Sequence, residues 1–413
     1  MKVRIIKGTN QIGGCITEIT CNNSKIIIDF GEDLDDKNET FELEGLTYGD
    51  SIYDAVFITH SHGDHIGLID NINEDIPVYV EKESLTIHNL TSDFCNKDRV
   101  KRKINTFEIP YNLKRNEDNR IIFENKDLKV SVYSADHSSY NSCMFLIEGN
   151  GKRILHTGDF RNHGRRKVYF EISLNKIGKI DMLIAEGTTL TRFTKDECKF
   201  LAEKDLEKKA YDIMDKYNQV FVLQSSTNID RTVSMGRAAL RDGKKFILDL
   251  FSYYLNENST HYFNVDNKNV FVWKPYKYKY KPDWFKDKYL NIKTSYKMFP
   301  DFAMEVKESM LPDIKMLFEK GLLTNACLIY SMWNGYIKKD DKVKIFLEEI
   351  KEMGIDVVEL HTSGHADLRG MKMVNNKLKP NQTIIIHTEN NESGKNIYNN
   401  VISVKDGDYI EIN

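Results

Sequence analysis

Long apolar runs are missing from this chain. No stretch of about 18 apolar residues occurs in its 413 residues, so the sequence offers no membrane-spanning helix. The opening Met1-Lys-Val-Arg-Ile-Ile-Lys-Gly also lacks the apolar block of a secretory signal. Cysteine is sparse, six residues at positions 15, 21, 95, 143, 198 and 327, and none forms Cys-x-x-Cys. That excludes a disulfide framework, a zinc knuckle and a redox dithiol. Only 7 prolines stand against 21 Tyr and 21 Phe, which argues against long disordered linkers. Nor is there an excess of charge: 59 Lys+Arg against 62 Asp+Glu leaves −3. A polyanionic partner must therefore find a local patch rather than a basic coat. The expectation is a reduced, cytoplasmic protein with no membrane partner and, at ~150 residues per domain, two or three domains.

The first half reads as short strands. Residues 25–31, 54–60 and 178–186 are apolar runs, each ending on a polar or acidic residue where the strand gives out. Residues 128–133 and 143–148 read as two more, the second leading to the turn Gly149-Asn150-Gly151. Near Thr194 the character changes. Thr194-Lys-Asp-Glu197 has the form of a capping box, predicting a helix to about Tyr217. Strands predicted at 219–223, 246–251, 326–330 and 356–360, with helices between them, indicate a parallel α/β layer of its own. A last helix and a strand over 383–387, ending in His387, close the pattern.

Histidine is scarce as well, 11 in all, yet Thr59-His60-Ser61-His62-Gly63-Asp64-His65 puts three of them and a carboxylate directly after an apolar strand. A loop leaving a strand can turn His60 and His62 toward one metal, and Asp64 with His65 toward a second. Nitrogen and carboxylate ligands without thiolate suit Zn²⁺, and also Mn²⁺ or Fe²⁺.

This His-x-His-x-Asp-His element resembles the metallo-β-lactamase superfamily, and other segments follow in the family's order. They are residues 7–14, Ile28-Asp29-Phe-Gly31 with the family's buried Asp, Ala135-Asp-His137-Ser, and Thr157-Gly-Asp159-Phe. Glu186 in Ala185-Glu186-Gly-Thr, His365 in His361-Thr-Ser-Gly-His365-Ala, and His387 resemble the three extra motifs of the β-CASP branch, the nucleases. Ribonuclease J is the nearest likeness. The resemblance implies an α/β fold: a metallo-β-lactamase αββα sandwich made of both chain ends, with an inserted α/β β-CASP domain. The implied divisions are 1–192, 193–360 and 361–413. It implies two divalent metal ions, zinc first and manganese second, one held by His60, His62 and His137 and the other by Asp64, His65 and His387, with Asp159 bridging.

The chemistry is consistent with these residues. Paired metals lower the pKa of water and neutralise the charge developing on a phosphodiester. The leaving oxygen also needs a proton, and His365 beside Glu186 suits that role, because a carboxylate raises an imidazole pKa and fixes its tautomer. His156, His163 and His361 take no ligand role and read as packing. Ser225, Ser226, Asn228 and Arg231 open a helix where small hydroxyls, free N–H groups and a guanidinium would suit a phosphate; the plain alternative is an N-cap. Ser363 and Gly364 are a similar expectation. Residues 273–284 alternate Lys with Trp and Tyr, the composition of a stacking groove, although a solvated surface segment is the simpler reading. The expected function is RNA hydrolysis, from the 5′ end or internally, with single-stranded RNA as partner and a homo-oligomer left open. Two alternatives stand beside it: a hydrolase of a small ester, thioester or lactone, opposed by Glu186 and His365, and a non-catalytic RNA-binding scaffold, opposed by the complete ligand set.

Overall fold

The structure is a computed structural model that describes residues 1–35, 40–109, 120–192, 199–273, 289–290 and 300–412. The chain divides into two compact units, Met1–Phe200 with Gly364–Asn413, and Leu201–Ser363. The divisions thus fall at 200/201 and 363/364, against the expected 192/193 and 360/361. Among the described residues no helix is long and apolar enough to cross a membrane.

The first unit is built on two sheets. One has the strand order Tyr409–Glu411, Lys2–Lys7, Ile16–Cys21, Ser24–Ile28, Ala55–Ile58, Val78–Glu81 and Ile104–Phe107. The other runs Gln382–Ile386, Met182–Glu186, Lys152–His156, Cys143–Gly149, Lys129–Ser134 and Ile121–Glu124. Both chain ends contribute, since Tyr409–Glu411 pairs with Lys2–Lys7 and Gln382–Ile386 runs parallel to Met182–Glu186. Side chains alternate between sheet faces, so each strand can serve two cores. Ile26, Ile28 and Phe57 of the first sheet meet Val130, Val132, Phe145 and Ile184 of the second between the layers. The opposite face of the first sheet, with Ile27, Val56 and Ile58, packs on Ile66, Ile69 and Ile72. Leu155, Leu183 and Ala185 of the second pack on Phe170 and Leu174 of the helix Lys167–Ile177, and on Met371 and Val374 of Leu368–Leu378. This is the αββα sandwich.

The second unit is a wholly parallel sheet in the order Tyr289–Leu290, Val270–Trp273, Lys245–Leu248, Phe302–Val306, Gln219–Leu223, Ala326–Tyr330 and Asp356–Glu359. Phe302–Val306, every residue of it buried, had no counterpart in the sequence reading. Two boundaries also differ. The apolar run 246–251 is a strand only to Leu248; Asp249 then accepts from the N–H groups of Phe251 and Ser252 and starts the helix Leu250–Asn258. A short apolar run does not reveal where a strand hands over to a helix. The helix expected from Thr194 begins instead at Glu203, after Ala202, which caps nothing. Thr194 to Glu197, like most of 273–284, lies outside the described residues.

Candidate metal centre

The ligand candidates stand where strands of the first unit end. His60 comes two residues after the strand Ala55–Ile58, and Asp64 and His65 lie in the helical turn Gly63–Ile66. His137 follows Lys129–Ser134, Asp159 follows Lys152–His156, and His387 comes directly after Gln382–Ile386. Asp29 and His387 both adopt left-handed backbone, φ 61° and 52°, immediately after a strand. That conformation costs a non-glycine residue about 1 kcal/mol or more, and here it ends each strand on a side chain of the candidate site.

Asp159 Oδ2 is the hub. His65 Nε2 lies 3.5 Å from it, His137 Nε2 and His387 Nε2 3.8 Å, and His60 Nε2 3.9 Å. Within the described residues three groups could each hold a cation, with their donor atoms within 4.8 Å of one another: His60, His62, His137 and Asp159; Asp64, His65 and His387; Asp159, His365 and His387. All seven expected ligands are therefore brought together, with Asp159 adjoining both sets.

Hydrogen bonds fix which nitrogen of His60, His65 and His137 keeps its lone pair. The Gly364 carbonyl can only accept, so His137 donates to it from Nδ1 (2.7 Å) and keeps Nε2 bare. His65 Nδ1 donates to Asp29 Oδ2 at 2.8 Å, which again frees Nε2. Asp29 Oδ2 also accepts the Thr59 hydroxyl at 2.9 Å, while Oδ1 accepts the Thr59 N–H at 2.7 Å. With its proton spent, Thr59 Oγ1 accepts from His60 Nδ1 at 3.0 Å, and His60 Nε2 is bare. Around His387, Thr188 Oγ1 lies 2.7 Å from Nδ1 and donates to the His387 carbonyl at 3.3 Å, while Nε2 meets the Asp64 carboxylate at 3.1 Å. Carboxylates, carbonyls and hydroxyls behind the rings thus set the tautomers that ligation needs.

The arrangement fits cations better than it fits itself. His65 Nε2 and Asp159 Oδ1 are buried without a hydrogen-bond partner, a costly state for polar atoms. His60 Nε2 and His137 Nε2 both converge on His62 Nδ1, at 3.1 and 3.3 Å, close enough for the three rings to share one cation. Burial, with neighbouring imidazoles, pushes His60 well below its ordinary pKa, and burial takes His62 down to about 4. His137 is held well down by burial too, so these three rings stay neutral, as ligands must. Burial works against charge on His65 as well, but the carboxylates of Asp159, Asp29 and Asp64 outweigh it and raise its pKa. That field calls for positive charge in the middle of the cluster.

Glu186 ends the strand Met182–Glu186, fully buried, with Oε2 accepting from Thr188 N (2.9 Å) and Oε1 from Ala366 N (3.1 Å). His365 Nδ1 is 3.4 Å from Glu186 Oε1 and 3.6 Å from Asp159 Oδ2. Burial lowers its pKa, but Glu186 and Asp159 raise it further, for a net upward shift. His156 is structural: its Nδ1 accepts from Gly158 N at 3.2 Å and its Nε2 meets Thr17 Oγ1 at 3.3 Å. His163 is buried against the Phe200 ring.

The expected phosphate contacts fare differently. In the second unit Arg231 is fully buried, and its guanidinium donates to Glu203, Ser331 and the Thr362 carbonyl. The expectation that it pairs with a phosphate is corrected: it is an internal ion pair. Ser226 is buried and gives its hydroxyl to Asp249 at 2.9 Å, while Asn228 caps the helix Ile229–Arg241 by accepting from Arg231 N. The hydroxyls left nearer solvent on this turn are those of Ser225 and Thr227. Ser363, the last residue of the second unit, is partly exposed. Gly364 belongs to the first unit and holds His137. A Cβ there would lie 2.4 Å from Ser138 Oγ.

The sequence reading missed the tautomer-setting hydroxyls of Thr59 and Thr188. Thr59 had a local signal, standing directly before His60 in the motif. Thr188 had none, because its partner lies 199 residues away in the chain.

The family description "Beta-lactamase superfamily domain" matches residues 25–202, and "Zn-dependent metallo-hydrolase RNA specificity domain" matches residues 351–395. Among curated proteins, the chain is 23% identical over 229 residues to a transcription termination factor, FttA, of Methanothermobacter thermautotrophicus, covering 52% of this chain and 36% of that protein. It is 29% identical over 195 residues to an RNase J-like protein of Methanocaldococcus jannaschii, covering 44% and 41%. To ribonuclease J 2 of Streptococcus pyogenes it is 23% identical over 257 residues, covering 60% and 45%. The chain thus spans less than half the length of each of these relatives. Among solved structures, a protein of unknown function from Enterococcus faecalis shares the fold, with a TM-score of 0.79 at 19% identity over 99% of both chains.

Proposed function

We propose that this chain, which belongs to the ribonuclease J-like β-CASP branch of the metallo-β-lactamase superfamily, is a two-metal phosphodiester hydrolase acting on single-stranded RNA as a 5′-to-3′ exonuclease. The observation that carries the reading is the convergence of imidazole nitrogens on Asp159 Oδ2, four of them within 3.9 Å. His60, His62 and His137 would hold one ion and Asp64, His65 and His387 the other, with Asp159 shared, and zinc is the metal that best suits these donors. Such ions supply a lowered water pKa and a counter-charge for the phosphate.

The chain's own residues do the rest. Asp29, Thr59, Thr188 and the Gly364 carbonyl hold the imidazoles in register, so no reorganisation is needed when substrate arrives. His365, whose pKa Glu186 and Asp159 raise, would carry the proton that the departing oxygen takes as the P–O bond breaks. Glu186 is itself pinned by Thr188 N and Ala366 N, and so keeps His365 in place. For phosphate contact in the second unit, Ser225 and Thr227 take the place expected for Ser226 and Arg231, with Asn228 and Ser363 beside them in the proposal.

The test is 5′-monophosphorylated, 3′-labelled single-stranded RNA incubated with Zn²⁺ or Mn²⁺, beside an Asp159→Ala control. Single-stranded DNA and a lactone ester run in parallel. Shortening from the 5′ end, lost in the control, supports the reading. Internal cuts would keep the nuclease and remove the exonuclease. Inert RNA with a hydrolysed ester would replace the nuclease by a small-ester hydrolase.

A further inference from the structure

We propose that Trp333 and Tyr336, on the turn after the strand Ala326–Tyr330, form a stacking platform for a base of single-stranded RNA. The inference rests on the nuclease reading and adds a site that reading does not contain. Trp333 is 37% exposed and Tyr336 48% exposed, and their rings meet edge to face with centroids 5.6 Å apart at 80°. Trp273, by contrast, is 4% exposed and gives its indole N–H to Asp313, as a core tryptophan does.

The platform is prebuilt. A Cβ on Gly335 would meet the Trp333 ring at 2.2–2.4 Å, so the ring packs closely against a residue that has no side chain. The Tyr330 hydroxyl donates to the Trp333 carbonyl at 3.1 Å, and Asn334 Nδ2 donates to Glu359 Oε1 at 2.6 Å, tying the turn to the adjacent strand. A rigid aromatic pair loses little entropy on stacking, and each stacked base contributes sequence-tolerant affinity.

Its place and its charge favour RNA over a protein partner. Trp333 stands at the carboxyl edge of a parallel sheet, where α/β folds bind ligands. The neighbouring strand is Gln219–Leu223, and Ser331 N donates to the Leu223 carbonyl at 2.9 Å. Ser225 and Thr227 follow that neighbour, so hydroxyls for a phosphate and rings for a base share one edge. Lys338, Lys339 and Lys342 lie exposed just beyond Tyr336; Asp340 and Asp341 stand between them, with Asp340 capping the helix Asp341–Glu352. A phosphate backbone beside these lysines completes the nucleotide.

The experiment measures anisotropy of a labelled 12-nucleotide oligouridine with hydrolysis-resistant phosphorothioate links, using the full chain with Zn²⁺. W333A should weaken binding about 5- to 100-fold, and W333F should stay within about threefold of the parent. Melting temperatures of both variants serve as the folding control, with the K338Q/K339Q double variant expected to reduce the salt dependence of binding. If W333A binds as the parent does while the parent still cuts RNA, the platform is refuted and the nuclease reading stands. A parent that neither binds nor cuts RNA refutes both. W333A that changes self-association but not RNA affinity also overturns the proposal, in favour of a protein contact.

Discussion

Asp29 belongs to none of the candidate metal-holding groups, yet the tautomers of two candidate ligands depend on it. Its Oδ2 accepts from His65 Nδ1 and from the Thr59 hydroxyl, and its Oδ1 from the Thr59 N–H. Asparagine tolerates the left-handed φ of 61°, so Asp29→Asn keeps the backbone and changes only the wiring. If the amide nitrogen replaces Oδ1, it faces the Thr59 N–H, and two donors oppose each other at 2.7 Å. That leaves a buried donor unsatisfied, at about 1–3 kcal/mol. If it replaces Oδ2, the Thr59 hydroxyl must accept instead and give its proton toward His60 Nδ1. His60 and His65 then both carry hydrogen on Nε2 and lose the lone pairs that face Asp159. Disturbing one such orienting contact costs about 10- to 100-fold in metal affinity. Two rings and a lost negative charge place the expected weakening at the upper end, about 100-fold. Competition against a chelating zinc indicator would measure it, with a thermal melt to separate metal loss from unfolding. A folded D29N that binds zinc as tightly as the parent would refute the tautomer argument.

Three further expectations concern residues around and beyond this network. Glu203→Gln leaves the fully buried Arg231 guanidinium without its counter-charge and should cost about 3–5 kcal/mol, read by urea unfolding; a Met pair at 203 and 231 should restore most of it. Burial raises Glu81 to about 7 despite hydrogen bonds from Ser84 N and Asn141. A raised folded-state pKa means stability that is fully present below the unfolded value near 4.5 and lost as pH rises through 7. Between pH 6 and 8 the parent should therefore lose about 1 kcal/mol that E81Q does not lose, and parallel melts with equal slopes would rule this out. Gly364→Ala would put a Cβ 2.4 Å from Ser138 Oγ and 2.9 Å from its Cβ, displacing the carbonyl that holds His137. Zinc affinity should fall roughly 10-fold or more, while unchanged affinity would show that the carbonyl is dispensable.

The elements legible in the sequence were those whose signal is local. Strands 24–28, 55–58 and 182–186 are apolar runs buried on both faces, and such runs announce themselves without reference to a partner. Phe302–Val306 did not, because Glu305 interrupts the run, and the sequence holds no hint that Gln224 donates to that carboxylate at 2.7 Å inside the sheet. Arg231 failed for a related reason. A helix-start arginine after Ser, Thr and Asn reads as a phosphate partner, and only the fold brings Glu203, Ser331 and Thr362 around it.

The candidate metal ligands divide the same way, and the division has a physical cause. His60, His62, Asp64 and His65 are contiguous because one loop leaving one strand can reach both positions. His137, Asp159 and His387 come from three other strand ends, and taken singly each is an ordinary polar residue after a strand. They became readable through their order along the chain, which the sandwich topology preserves. No comparable order exists for the residues that set the tautomers. A hydroxyl, a carbonyl or a carboxylate can orient an imidazole equally well, and here Thr59, Thr188, Gly364 and Asp29 do so by different chemistry. The donor atoms are constrained by what a cation accepts, whereas their supports are constrained only by which acceptor happens to lie within about 3 Å of Nδ1. A candidate ligand set can therefore be read from residue types, but its preorganisation can be read only from coordinates.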